Sequence, residues 1–151
     1  RGWVLALLVA TGIGLHNFGE GLAIGAAFSL GEAALGTVLI GGFTLHNTTE
    51  GLAIVAPLAH ERVRLSQLVR LGALGGGPTI VGAWIGGLVY SPIWSVLCLA
   101  LGAGAIAQVI VQLSRQMVGD RSFAGYVTTA PVASGLFAGV AVMYVTGLIV
   151  G

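Results

Sequence analysis

The chain has 151 residues, of which 56% are hydrophobic and 7% are charged, and its formal net charge is +1. Soluble domains average about 25% charged residues, and a chain of this size leaves much of its surface outside the core, so this composition argues against a soluble domain and for a bilayer. The near-neutral charge without a basic run argues against a nucleic-acid partner. The single cysteine, Cys98, allows no internal disulfide and no cysteine metal cluster.

Five stretches are apolar and long enough for transmembrane helices, which need roughly 20 residues each. They cover about 2–29, 32–58, 67–89, 92–114 and 123–150. The break around Gly31 is short and predicts a tight antiparallel turn. The sequence therefore predicts one all-α domain over 1–151, a polytopic transmembrane helix bundle. Because Arg1 is not an initiator methionine and the first span begins at once, we expect an N-terminally truncated chain.

The positive charges all fall on one side of this predicted bundle. The chain has no lysine, and its six arginines are Arg1, Arg62, Arg64, Arg70, Arg115 and Arg121. With five spans, the N-terminus, the second loop and the fourth loop share a side, and all six arginines lie in or beside these regions. The positive-inside rule places that side in the cytoplasm, which predicts an external C-terminus.

Glycine and proline suggest how the helices pack. Four glycine pairs are spaced four residues apart, which lets helix backbones approach closely in lipid. These pairs are Gly21/Gly25, Gly72/Gly76, Gly82/Gly86 and Gly135/Gly139. Pro78 follows three glycines in the third span and predicts a kink or a break there, because proline removes a backbone hydrogen bond. Pro131 carries a weaker version of the same signal.

The first two spans contain a repeated polar motif. Residues 16–24 read HNFGEGLAI and residues 46–54 read HNTTEGLAI, so seven of nine positions are identical at an offset of 30 residues. On a helix, the histidine and the glutamate lie on one face, about 6 Å apart along the axis. Because the two spans run antiparallel and both motifs fall near mid-membrane, the motifs can face each other. Together they offer enough donors for a four- to six-coordinate ion.

The two motif glutamates, Glu20 and Glu50, need compensation inside a bilayer. Each acidic side chain costs about 2.5–3.5 kcal/mol at the bilayer centre, and the arginines, which all lie at one edge of the predicted bundle, do not balance it. One bound dication would balance both carboxylates. Two other interpretations are hydrogen bonding between helices and a proton relay without metal; neither explains why the whole group occurs twice.

The paired His-Asn-x-x-Glu-Gly motif resembles that of the ZIP (Zrt/Irt-like) metal-ion transporters, particularly the prokaryotic branch. The resemblance covers the whole chain and implies spans four to eight of an eight-span fold, with three upstream helices missing. It implies transport of divalent metal ions toward the cytoplasm across a prokaryotic plasma membrane. By motif match, the implied metal ligands are His16, Asn17, Glu20, His46, Asn47 and Glu50.

Three departures from the family pattern bear on this site. Gly19 and Thr49 stand where the family commonly has proline before each motif glutamate, and Asn47 stands where the second motif often has an acid. Some members add an acidic ligand from the next span, and residues 67–89 contain no acid. Members with those extra acids can hold two metal ions, so the two carboxylates of this chain argue for one.

Imidazole and carboxylate donors suit Zn²⁺, Fe²⁺, Mn²⁺ or Co²⁺ and do not choose among them, and the lack of a thiolate or methionine cluster disfavours Cu(I). Zn²⁺ is the first expectation, with the other three ions as alternatives. The metal ion is expected as a substrate. The other expected partners are the lipid bilayer, the missing N-terminal helices and, as an open alternative, a second copy of the chain. No enzymatic activity is expected, because an intramembrane zinc protease typically carries His-Glu-x-x-His. A membrane sensor or scaffold that binds metal without transport is the alternative function.

Overall fold

The computed structural model describes residues 2–89, 91–118 and 122–150, and this part of the chain is helical without a strand. The helices are α1 (Gly2–Ser29), α2 (Ala33–Val55), α3 (Leu65–Leu88), α4 (Pro92–Val118), α5 (Phe123–Val127) and α6 (Ala130–Val150), and a 3₁₀ turn over Ala56–Leu58 extends α2. The predicted all-α fold class is confirmed. Arg1 and Arg121, which the predicted topology uses, lie outside the described residues.

Three helices among the described residues are long and apolar enough to cross a membrane: α1, α3 and the Pro92–Arg115 portion of α4. This is consistent with a membrane protein. The polar residues of the second motif lower the hydropathy of α2, and the described apolar stretch of α6, Ala130–Val145, is shorter. The count of five crossings, the orientation and the match to an eight-span fold stay predictions.

The connection between α1 and α2 is the tight turn that the sequence predicts. Gly31 has a positive φ of 81°, a conformation that glycine adopts without a steric penalty. The Glu32 N–H donates to the Ala27 carbonyl at 2.9 Å and the Gly31 N–H donates to the Phe28 carbonyl at 3.1 Å. This pair of bonds is a Schellman motif, which satisfies the last carbonyls of α1 and reverses the chain.

The two prolines occupy different positions in their helices. The α3 helix runs through Pro78 without a break, and the kink that is the other expectation for this residue stays a prediction. Proline leaves the Leu74 carbonyl without its usual helical donor, and this carbonyl lies directly against Gly14 of α1. The fifth predicted span is divided, since α5 ends at Val127 and α6 begins just before Pro131. Proline is tolerated in the first turn of a helix, so Pro131 begins α6 rather than bending it.

Glycines bring α1 and α3 into backbone contact. A Cβ atom at Gly21 or Gly25 would overlap backbone atoms of α3, and one at Gly82 or Gly86 would overlap backbone atoms of α1. The close-packing prediction is therefore correct for these two pairs. For the pairs Gly72/Gly76 and Gly135/Gly139 it stays a prediction, because a Cβ there would have no described atom of another helix within 4 Å.

The hydrophobic core lies beside the N-terminal half of α1. Its buried members are Ala6, Val9, Ala10, Ile13, Ile54, Leu58, Leu71 and Val109. They come from α1, the C-terminal end of α2 with its 3₁₀ turn, α3 and α4. The last core residue of α1, Ile13, is one helical turn before the first motif. This packing fixes the helix that carries the motif on three sides.

Candidate metal site

The two motif copies meet between α1 and α2. The α1–α2 turn makes the helices antiparallel neighbours, and the α1–α3 packing holds α1 in place behind them. Glu20 and Asn17 are 4% and 3% exposed, and they are the buried polar side chains among the described residues. The sequence expectation that the two motifs face each other agrees with this arrangement.

The Glu20 carboxylate lies at the centre of the cluster. Its Oε1 atom is 3.2 Å from His16 Nε2, one turn away on the same helix, and it also contacts His46 Nε2 on α2 closely. One donor atom from each of these three residues lies within 4.8 Å of the others. Such a group has the spacing of ligands that converge on one metal ion.

The second glutamate is part of the same cluster. Glu50 Oε1 on α2 is 3.7 Å from His16 Nε2 on α1. Each glutamate thus contacts the histidine of the other motif copy. The His16 and His46 rings are 6.4 Å apart between centroids. Two imidazoles and two carboxylates of the predicted set therefore come together.

The two asparagines occupy equivalent motif positions but make different contacts. The Asn47 amide donates to Glu20 Oε2 at 3.1 Å, across from α2 to α1. The Asn17 amide instead donates to the backbone carbonyl of Gly75 on α3 at 3.0 Å, in a buried position. The structure therefore places Asn47 against the cluster and turns the Asn17 N–H group toward α3.

The cluster holds more acceptors than donors. Three buried oxygen atoms of motif residues have no hydrogen-bond donor in the described part of the chain: Asn17 Oδ1, Asn47 Oδ1 and Glu50 Oε2. Buried polar atoms are nearly always paired, and burial without a partner is unfavourable. These three oxygens therefore need a hydrogen-bond donor or a cation as a partner.

The ion pairs at the cluster involve histidine alone. Within residues 2–89, 91–118 and 122–150, the pairs made by Glu20 and Glu50 are with His16 and His46, and no arginine takes part. Removing one partner of a buried charge is strongly destabilising. Among the described residues, the two imidazoles are therefore the groups that pair with these carboxylates.

Three neighbouring residues outside the two motifs help to shape the site, and no sequence pattern indicates them. The Phe43 ring meets the His46 ring edge-on, with centroids 5.4 Å apart. Gly102 of α4 packs against His16, because a Cβ atom there would lie 3.2 Å from His16 Cα and 3.6 Å from its Nδ1. Gly75 contributes a backbone carbonyl, which no side-chain motif can signal. A cavity of about 320 Å³ also lies beside Asn47, between α1, α2 and α3.

No family model, curated protein or solved structure matches this chain. The resemblance to the ZIP transporters consequently depends on the two motifs and their surroundings. The ligand roles of the six motif residues stay predictions.

Proposed function

We propose that this chain forms the metal-conducting part of a membrane transporter that moves divalent transition-metal ions toward the cytoplasm, as the ZIP-like motif pair implies. Zn²⁺ is the expected substrate, with Fe²⁺, Mn²⁺ and Co²⁺ as alternatives. The observation that carries the proposal is the convergence of both His-Asn-x-x-Glu-Gly copies on one cluster with donor atoms within 4.8 Å of one another.

A purely structural tie between helices accounts poorly for this cluster. Interhelical polar contacts in membranes stabilise by satisfying their own hydrogen bonds. Here three buried oxygens of the motif residues lack a donor. A cation bound near these oxygens and the two carboxylates would give the unpaired oxygens a partner. Hydrogen bonding between the helices alone leaves them unpaired.

The charge and the donor types favour a transition-metal dication. The two carboxylates carry two negative charges, so one dication neutralises them. Imidazole nitrogen with carboxylate oxygen suits Zn²⁺ and its neighbours in the first transition row. The lone cysteine, Cys98, is on α4 away from the motifs in sequence. The donor set therefore gives no support to a copper(I) carrier.

Transport can be tested with the full-length protein that contains this chain, reconstituted into liposomes with a metal-sensitive dye inside. We expect Zn²⁺ influx above that of empty liposomes, and parallel assays with Fe²⁺, Mn²⁺ and Co²⁺ give the substrate range. Stoichiometric metal binding without influx would support a membrane sensor or scaffold instead. The absence of both metal binding and metal influx would overturn the proposal.

Metal binding is expected to weaken as the pH falls. Both imidazoles must be neutral to bind a metal ion, and histidine gains its proton between about pH 5 and 8. For each imidazole that must lose a proton to bind, the metal affinity falls by up to about 10-fold for every pH unit below the range in which that imidazole titrates. Zn²⁺ titrations against a competing dye over this range measure the slope.

A matched pair of variants makes the pH result specific. His16→Ala removes one titrating imidazole and should make the pH dependence shallower as well as weakening binding. His60→Ala removes an exposed histidine outside the cluster and should leave the slope unchanged. Equal slopes for both variants would argue against imidazole ligation by His16.

A further inference from the structure

The two oxygens of the Glu20 carboxylate have different environments. Oε1 contacts the imidazoles of His16 and His46, whereas Oε2 accepts the hydrogen bond from Asn47 at 3.1 Å. The Glu20 side chain is only 5% exposed, so solvent cannot replace the amide as a donor to Oε2. The Asn47 N–H group therefore leaves one oxygen of Glu20 directed at the cluster.

We propose that Asn47 is a positioning residue that holds Glu20 as a one-oxygen ligand and so selects an ion of low coordination number; this inference rests on the proposed function. With Oε2 engaged, Glu20 offers one oxygen and each histidine offers one nitrogen. Glu50 on the other helix completes four donors with one oxygen, or five if its unpaired Oε2 also binds. Four nitrogen and oxygen donors suit tetrahedral Zn²⁺. Ions such as Mn²⁺ favour six oxygen-rich positions, so an extra carboxylate oxygen would suit them better.

The structure gives Asn17 a different task, although the motif makes it equivalent. Its amide donates to the Gly75 carbonyl on α3 at 3.0 Å, and this bond ties α1 to α3. The Asn47 amide donates to Glu20 Oε2 instead. The proposed positioning of the Glu20 carboxylate therefore belongs to the second copy.

The opposite interpretation makes Asn47 a ligand through its own Oδ1 atom. The two roles predict opposite changes in coordination. If Asn47 positions Glu20, removing the amide frees Oε2 and the coordination number rises. If Asn47 is a ligand, removing it lowers the coordination number or leaves it constant when water fills the position. Bound Co²⁺ reports the difference, because four-coordinate Co²⁺ absorbs visible light far more strongly than six-coordinate Co²⁺.

The test uses the full-length protein in detergent, titrated with Co²⁺ alone and then with Zn²⁺ and Mn²⁺ in competition. We expect the intense visible bands of low-coordinate Co²⁺ in the unmodified protein. Asn47→Ala should weaken these bands and lower the preference for Zn²⁺ over Mn²⁺ by about 10-fold. Mutation of residues that orient metal ligands typically lowers metal affinity by about 10–100-fold, and the expected change lies at the low end of that range. Wild-type or stronger bands in this variant would overturn the inference.

Asn47→Leu provides a second arm if the alanine variant folds poorly. It keeps a side chain of similar size and loses both the N–H groups and the Oδ1 atom. The positioning role predicts weakened bands again, and a ligand role predicts bands of wild-type or greater intensity, which would overturn the inference. Thr48→Ala is the matched control, because its exposed hydroxyl donates to the Thr44 carbonyl of its own helix, and its spectrum should match the wild type. If the unmodified protein binds no Co²⁺, the proposed function fails together with the inference; if it binds Co²⁺ and the Asn47 variants are unchanged, only the inference fails.

Discussion

The double variant Glu20→Ala/Glu50→Ala is expected to abolish metal uptake by the full-length protein. Glu20 is buried at the centre of the cluster, and Glu50 contacts His16 from the other helix. Loss of residues that only orient ligands lowers metal affinity by about 10–100-fold, so loss of both carboxylates should exceed about 100-fold. Zn²⁺ influx into proteoliposomes and Zn²⁺ binding in detergent measure the two effects.

A matched control separates loss of the site from loss of charge. Glu32→Ala/Glu61→Ala removes two exposed glutamates from the same chain, with the same change in net charge, and should keep both binding and influx. Zn²⁺ at about 100 times its dissociation constant should stabilise the control by roughly 2.7 kcal/mol, visible as a higher melting temperature. The Glu20/Glu50 variant should show no such shift. Undiminished uptake by that variant would refute the site assignment.

The meeting of the two motifs is the part of the site that sequence predicts best. Helical periodicity puts His16 and Glu20 on one face, and the short turn at Gly31 makes the next helix an antiparallel neighbour. Two copies of one motif at an offset of 30 residues then fall at similar depth. These local rules are enough to bring His46 and Glu50 to the first copy.

The hydrogen bonds of the asparagines could not be predicted in the same way. Asn17 and Asn47 have identical sequence neighbours on one side, yet Asn17 donates to a carbonyl of α3 and Asn47 donates to Glu20. The difference arises because α3 packs along α1, a long-range contact that no local pattern encodes. The acceptor, Gly75, acts through its backbone and has no side chain to signal it.

Proline and glycine show the same limit. The sequence predicts a kink or a break at Pro78, and α3 continues through this residue while the freed Leu74 carbonyl packs against Gly14 of α1. Four glycine pairs have the same spacing, and within the described part of the chain it is the pairs at the α1–α3 contact that lie against another backbone. Spacing predicts the ability to pack closely, and the partner helix decides where that ability is used.

The last glycine of each motif gives a second large expected effect. Gly21 and Gly51 occupy the same motif position, but a Cβ atom at Gly21 would overlap the Thr79 carbonyl and the Ala83 nitrogen of α3, and one at Gly51 would meet no described atom of another helix within 4 Å. Gly21→Ala should therefore force α1 and α3 apart. Overpacking of this kind typically costs about 1–3 kcal/mol, and here the obstacle is backbone that cannot rotate away.

Gly51→Ala is the matched control, because alanine favours a helix over glycine by up to about 1 kcal/mol and nothing in the described structure opposes it. The apparent melting temperature in detergent should fall for Gly21→Ala and hold or rise for Gly51→Ala. Zn²⁺ affinity should follow the same order, because separation of α1 from α3 breaks the bond between Asn17 and Gly75 one turn away from Glu20. Equal losses of stability in the two variants would contradict the close contact of α1 with α3, since that contact is what distinguishes two otherwise identical positions.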